Sequence, residues 1–355
     1  RILLDDGKLE LSVESVADSE IQCRVVQGGV LHDKKGINLP GVKVSAPSLT
    51  DKDKQDARFA LELGVDCLAL SFVRRASDVQ ELRQLVDEVS HCVGIISKFE
   101  KPDALDNAAE IIAVSDAIMV ARGDLGVELS PEQVPIAQHK LIDVARDFNR
   151  PVIVATQMLE SMMTATRPSR AEVSDISQAV ASGVDAVMLS GETASGEFPI
   201  HTVQMMSRVI HQTEAYLFDE NNFANLTRDL ERQGDPVLFG HAVAQAAADL
   251  AKTMDAKAII SLSNTGMSAV TISSARPSVP LLAISSDSKT YRRLNLQWGT
   301  LPILAQDAGN THPNRLARRI AEETGFAQSG DFIVLVRGFS SDTVLNTPSV
   351  TLLTV

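Results

Sequence analysis

From Asp51 onward the chain alternates short apolar runs with amphipathic segments of about 10–18 residues, which predicts strands and helices in turn. The runs are Val65–Phe72, Val93–Lys98, Ala117–Ala121, Val152–Thr156 and Asp185–Leu189. Ser77 ahead of Asp78–Val89, and Pro131 opening Glu132–Phe148, predict two helix starts. Gly64 and Gly183 stand just before strands, where a helix ends and the backbone turns. Runs apolar on both sides, with helices between them, predict a parallel sheet covered by helices. Periodicity does not separate a doubly wound sheet from a barrel, and five strands fall short of the eight that close a (β/α)8 barrel.

The two ends of the chain read differently. Arg1–Val13 predicts two short strands around an Asp6-Gly7 turn; β character persists to Val30, and His32–Gly41 is a loop rich in Gly and Pro. Strand pairing that starts at the first residue predicts either a processed or trimmed terminus or a chain cut inside a β-rich domain. Asp219–Asp235 is polar and predicts a connection, and Pro236–Met254 an Ala-rich helix. Ala258–Leu262, Leu281–Ser285, Leu301–Leu304, Phe332–Val336 and Val350–Leu353 then predict a small open α/β sheet with a late antiparallel strand. Three domains are expected, over residues 1–41, 42–218 and 219–355. Trp298 carries no special reading beyond packing.

The 355 residues are 44% hydrophobic and 22% charged, enough for sizeable cores, but only 4% aromatic, so Ala, Val, Ile, Leu and Met must build them. No apolar run approaches the roughly 18–20 residues of a membrane span. With 33 Lys and Arg against 46 Asp and Glu, the net charge of −13 disfavours nucleic acids and anionic membranes as partners. A phosphate-bearing ligand therefore needs a local positive group or a metal. Cys23, Cys67 and Cys92 are widely spaced in apolar stretches and predict buried thiols of a reducing compartment, not disulfides or zinc ligands.

What favours a barrel is the chemistry at the strand ends. In order they read Ser71-Phe72-Val73-Arg74, Ser97-Lys98-Phe99-Glu100, Ala121-Arg122-Gly123-Asp124, Ala155-Thr156-Gln157 and Ser190-Gly191-Glu192. Charges entering buried strand ends are costly unless paired or bound to an ion. Five polar ends at one edge predict a shared site at the C-terminal face of the sheet. Lys98 and Glu100, two apart on an extended segment, leave the same side, and the next strand brings Asp124 beside them. Oxygen-only ligation without His or Cys points to Mg2+ or Mn2+; a Lys98–Glu100–Asp124 salt-bridge cluster is the alternative. Gly123–Gly126 predicts a turn whose exposed amides suit a carboxylate or phosphate.

The segment Ile118-Met-Val-Ala-Arg-Gly-Asp-Leu-Gly-Val-Glu128 resembles the signature of the pyruvate kinase family. Ile95–Glu100, Ala155–Met162, Arg167–Glu172 and Asp185–Ala194 agree in order and spacing, and the likeness extends to Lys35–Gly41 and the C-terminal strands. The resemblance implies phosphoryl transfer from phosphoenolpyruvate to ADP, giving pyruvate and ATP. It implies strands four to eight of a (β/α)8 TIM barrel, the remainder of a β-rich lid over residues 1–41, and a C-terminal α/β regulatory domain. By motif, Glu100 and Asp124 resemble the divalent-metal ligands and Lys98 the lysine that steadies the phosphoryl group. The backbone at Gly123 and Asp124, with the Thr156 hydroxyl, resembles the substrate-carboxylate site. Thr156 also stands near the protonation of the enolate, Lys35 resembles a nucleotide-contacting lysine, and Ser71 lies beside the site. Arg167–Glu172 resembles an active-site rim or a subunit-contact loop.

The family's first three barrel strands, its substrate arginine and its K+ ligands would precede residue 1, so the arc alone is expected to be inactive. Ser263, Asn264, Thr265, Gly266 and Ser268 resemble an allosteric sugar-phosphate loop, and an ordinary capped turn is the alternative. Asn264 and Met267 replace basic residues of some effector-binding relatives, which argues against a bisphosphate and leaves a monophosphate. A cytoplasmic homotetramer is implied. Two rival readings share these features: another Mg2+-dependent enolate-forming barrel, such as an aldolase or lyase, and a non-catalytic phosphate-binding module.

Overall fold

A computed structural model describes residues 1–5, 7–33, 35–42, 47–89, 93–219, 239–340 and 346–355. The chain divides into two units, residues 1–175 with 187–205, and residues 176–186 with 206–355. The first unit opens with β1 (Ile2–Leu4), β2 (Leu9–Ala17), β3 (Glu20–Gln27) and β4 (Ile37–Asn38), an antiparallel sheet in the order β3-β2-β1-β4. β1 pairs with β2 across a turn carrying Gly7, whose φ of +82° glycine adopts without steric cost. Asp6, the other half of that predicted turn, lies outside the described residues.

Helix α1 (Asp51–Glu62) starts on a capping box in which Thr50 and Asp53 satisfy each other's backbone amides. Five strands follow: β5 (Cys67–Leu70), β6 (Gly94–Phe99), β7 (Ala117–Ala121), β8 (Val152–Ala155) and β9 (Ala186–Met188). They form one sheet in sequence order, with β5 through β8 parallel. Between them run α2 (Ala76–Val89), α3 (Pro102–Asp106), α4 (Ala108–Val114), α5 (Arg122–Glu128), α6 (Val134–Asp147) and α7 (Arg170–Ala181). Helices α8 (Gly191–Ala194) and α9 (Pro199–Asp219) follow β9.

The expected alternation is present, as an open arc of five strands among the described residues. Apart from Lys98, every residue of β6, β7 and β8 is buried, because α2 packs on β6 and α6 on β7 and β8. The outer strands β5 and β9 are only partly buried, as sheet edges are.

Three local expectations are corrected. Helix α2 begins at Ala76, not after Ser77, because buried Asp78 accepts the Arg74 amide at 2.9 Å and closes the turn earlier. Pro131–Gln133 is a 3-10 turn, with the Gln133 side chain reaching back to the Ser130 amide, and α6 starts only at Val134. Cys23 and Cys67 are half-buried, since Cys23 sits on the exposed β3 and Cys67 on an edge strand. Cys92 lies outside the described residues.

The second unit contains α10 (Phe239–Thr253), β10 (Ala258–Leu262), α11 (Met267–Ser274), β11 (Leu281–Ser285), α12 (Ser288–Arg293), β12 (Thr300–Leu304), α13 (Pro313–Glu323), β13 (Phe332–Arg337) and β14 (Ser349–Thr354). The sheet order is β12-β11-β10-β13-β14, parallel except for β14, which runs antiparallel to β13 as expected. Residues 220–235 of the predicted connection, and Pro236, lie outside the described residues.

Strand parity sorts this core into two layers. Ile260, Leu282, Ile284, Ile333 and Leu335 meet Leu316, Ala317 and Ile320 of α13. Their neighbours Ile259, Leu281, Ala283 and Val334 meet Ala244, Ala247 and Ala251 of α10 and Ile272 of α11. Each fully buried Leu or Ile contributes about 1.5–3 kcal/mol, and the small Ala face of α10 lets that helix lie close to the sheet.

Trp298 does more than pack. Its indole Nε1 donates to Glu214 at 2.8 Å, and its ring lies 5.0 Å from the guanidinium of Arg276. Arg276 in turn donates to Asp185 Oδ1 at 2.9 Å and to the Gly183 carbonyl at 2.6 Å.

Candidate active site

Lys98 and Glu100 leave β6 on the same side, as alternation requires. Glu100 is only 1% exposed; its Oε1 lies 2.6 Å from Lys98 Nζ, and its Oε2 accepts the Phe72 amide at 2.8 Å. Lys98 also donates to Ser71 Oγ at 2.9 Å. A carboxylate buried so deeply is costly unless charge or amides meet it, and here both do. The ends of β5 and β6 are thereby stitched into one polar cluster of Ser71, Lys98 and Glu100.

Gly123–Gly126 is helical, not the open turn expected. α5 begins at Arg122, directly on the last residue of β7, and half-buried Asp124 lies in its first turn. The Gly123 amide donates to Thr156 Oγ1 at 2.7 Å, and that hydroxyl donates to the Ala155 carbonyl at 2.6 Å. Two groups expected to receive a carboxylate therefore meet each other. Among the described residues no three or more His, Cys, Asp or Glu are grouped to hold a metal ion. Glu100 and Asp124 could supply only part of a coordination shell. Carboxylate oxygens of this kind suit a hard divalent cation and not a soft metal.

The strand ends also carry backbone strain. Phe72, Thr156 and Gln157 have φ of +54°, +73° and +55°. For a β-branched residue such as Thr156 this is a true outlier; each such residue costs about 1–3 kcal/mol and persists only where its surroundings enforce it. They do. The Phe72 amide is held by Glu100, and the Thr156 carbonyl accepts Arg122 Nη2 at 3.0 Å while Nη1 meets Asp175 at 2.7 Å. The one sequence signal for Arg122 is its place between the end of β7 and Gly123.

Glu192, at the last strand end, is 2% exposed and accepts the Leu159 and Ser190 amides at 3.1 and 2.8 Å. It ties the segment after β8 to the end of β9. Glu172, in the Arg167–Glu172 segment, accepts from the amides and hydroxyls of both Ser161 and Ser169. Burial alone would raise its carboxyl, but these hydrogen bonds outweigh burial and hold it below the ordinary 4.5. A depressed folded-state pKa stabilises above the unfolded value and is lost as pH falls through the folded one. Thermal melts should therefore separate wild type from Glu172→Gln fully at pH 6, with the gap closing below the ordinary value of 4.5. A gap independent of pH would contradict this role.

Lys35 lies in the first unit beside the β1–β4 sheet, its Nζ 2.8 Å from Asp5 Oδ1. That hydrogen bond chiefly holds the Asp5 carboxyl below its usual range. In the second unit, Ser263 Oγ accepts the Gly266 amide at 2.9 Å and Ser268 Oγ pairs with Ser261 Oγ at 2.8 Å. Both serines are buried, so these hydroxyls build the loop; the side chains left exposed are Asn264, Thr265 and Met267. The Asn264 carbonyl accepts the Thr290 hydroxyl at 2.9 Å, and Gly266 holds the left-handed turn at φ +88°.

Comparison with known proteins meets this geometry from outside. The family model "Pyruvate kinase, barrel domain" matches residues 1–203, and "Pyruvate kinase, alpha/beta domain" matches residues 241–351. A curated protein of Agrobacterium vitis named "Pyruvate kinase" is 45% identical over 343 residues, covering 95% of this chain and 70% of that protein. One of the same name from Mycobacterium intracellulare is 42% identical, covering 98% of this chain and 72% of its own length. "Pyruvate kinase 2" of Synechocystis sp. is 42% identical, with 95% of this chain and 56% of that protein covered. Neither rival reading is favoured by these names. With both family models matched and curated relatives 42–45% identical over nearly the whole chain, the chain belongs to the pyruvate kinase family.

Proposed function

We propose that this chain carries the site at which the phosphoryl group of phosphoenolpyruvate passes to ADP, giving pyruvate and ATP. The observation that supports it most is the pairing of half-buried Lys98 with buried Glu100 at the C-terminal edge of the parallel strands. Phosphoryl transfer asks a protein mainly for positioning and for neutralising spread negative charge. Lys98 is half-buried, so its ammonium can turn from Glu100 and Ser71 toward phosphoryl oxygens without crossing the core. The Gly123 and Asp124 backbone and the Thr156 hydroxyl orient the substrate carboxylate, with Thr156 exchanging its bond to the Gly123 amide for one to substrate. Lys35 contacts the nucleotide. A divalent ion, Mg2+ or Mn2+, held by Glu100 and Asp124 would supply positive charge against the phosphoryl and enolate oxygens.

The reading extends to K+ dependence, a cytoplasmic homotetramer and a sugar-phosphate effector at Ser263–Ser268. The test is ADP- and Mg2+-dependent release of pyruvate by the intact protein, and no release would end the proposal. For the metal, Glu100→Gln and Asp124→Asn should each raise the Mg2+ concentration for half-maximal activity by about 10- to 100-fold. Unchanged metal dependence in both would remove them as ligands.

A further inference from the structure

Arg122 is the first residue of α5, and its neighbour Gly123 donates its amide to the Thr156 hydroxyl. The Arg122 side chain is only 12% exposed and reaches the same threonine from the other end, with Nη2 donating to the Thr156 carbonyl at 3.0 Å. Nη1 meets Asp175 Oδ1 at 2.7 Å, and Met158 Sδ lies 2.8 Å from Nη2. Asp175 fixes the plane of the fork, so the second prong has one direction only. Two consecutive residues thus grip Thr156, one by its hydroxyl and one by its carbonyl. The grip matters because Thr156 sits at φ +73°, where a β-branched residue does not rest unaided. Relaxation toward extended backbone would swing the hydroxyl off the Gly123 amide.

We propose that Arg122 is a positioning residue for the reaction, holding the strained Thr156 backbone so that its hydroxyl stays aimed at the substrate edge. The inference rests on the role proposed above for Thr156. Lysine at this position would keep Asp175 satisfied, but one ammonium lacks the planar fork that spans both Asp175 and the Thr156 carbonyl. Arg122→Lys therefore isolates the contact that matters.

The test is a double-mutant cycle in the intact enzyme, reading kcat/KM for phosphoenolpyruvate, with melting temperatures to confirm folding. Arg122→Lys and Arg122→Met should each lose about 10- to 100-fold in the wild-type background. In a Thr156→Ala background the same changes should cost less than about 3-fold, because what they position is already gone. Equal losses in both backgrounds, or full activity in Arg122→Lys, would overturn the inference. If Arg122→Met does not fold, the lysine variant carries the cycle alone. Lack of pyruvate release from the unsubstituted enzyme would instead count against the proposed function. The crystal structure of Arg122→Lys then decides: departure of Thr156 from the left-handed region supports the inference, and retention of it refutes it.

Discussion

Lys98→Met in the intact enzyme should lower turnover by about 100- to 1,000-fold while phosphoenolpyruvate still binds. The ammonium lies at the edge where five strands present polar ends, paired with a carboxylate only 1% exposed. Its charge is worth most where negative charge develops in the transition state, and less in the ground state, where substrate has other partners. Met keeps much of the aliphatic stem, so the variant removes charge more than packing. Glu100 then loses its cation but keeps the Phe72 amide, and a modest drop in melting temperature should accompany the loss. Turnover at saturating substrate, set against equilibrium binding of phosphoenolpyruvate, separates the two effects. Wild-type turnover would remove Lys98 from the mechanism.

The largest stability effect should come from the second unit. Arg276 and Asp185 face each other at 2.9 Å with side chains 2% and 7% exposed. Truncating the arginine to Met removes the charge partner of a buried carboxylate that then keeps the Trp298 amide at 3.3 Å, a loss of up to about 3–5 kcal/mol. Trp298 is the single tryptophan of the chain and stacks on that guanidinium, so its fluorescence reports the site directly. Denaturant unfolding followed by this emission should show the loss, and Arg276→Met with Asp185→Leu should recover most of it, since removing both charges is far cheaper than removing one. A loss below about 1 kcal/mol in the single variant would mean that water reaches Asp185.

Period and parity made much of this architecture readable in advance. Continuous apolar runs marked the parallel strands, and the two-residue repeat put Lys98 and Glu100 on one side because strands leave no other choice. The β13–β14 antiparallel pair followed from its position after four helix-linked strands. What stayed hidden depends on partners far apart in the chain or on backbone angles. Arg276 finds Asp185 91 residues away, and nothing local marks either as a partner. The left-handed conformation of Thr156 runs against its own propensity and is imposed by Arg122 and Gly123 from another strand end. Ser263 and Ser268 resemble part of a sugar-phosphate loop by sequence; only their burial reveals that the loop consumes both hydroxyls. The start of α2 depends on the Asp78 side chain accepting the Arg74 amide, a contact that Ser77 as a cap does not foretell.

Phe72, Thr156 and Gln157 hold conformations that glycine would adopt at no steric cost. Any search that rewards heat resistance alone would therefore be drawn toward glycine at the rim of the sheet. It would relax the backbone there and, in the same step, erase the side chain or loosen the aim of its neighbour. Durability and turnover pull on these positions in opposite directions, and the tension is written into three dihedral angles.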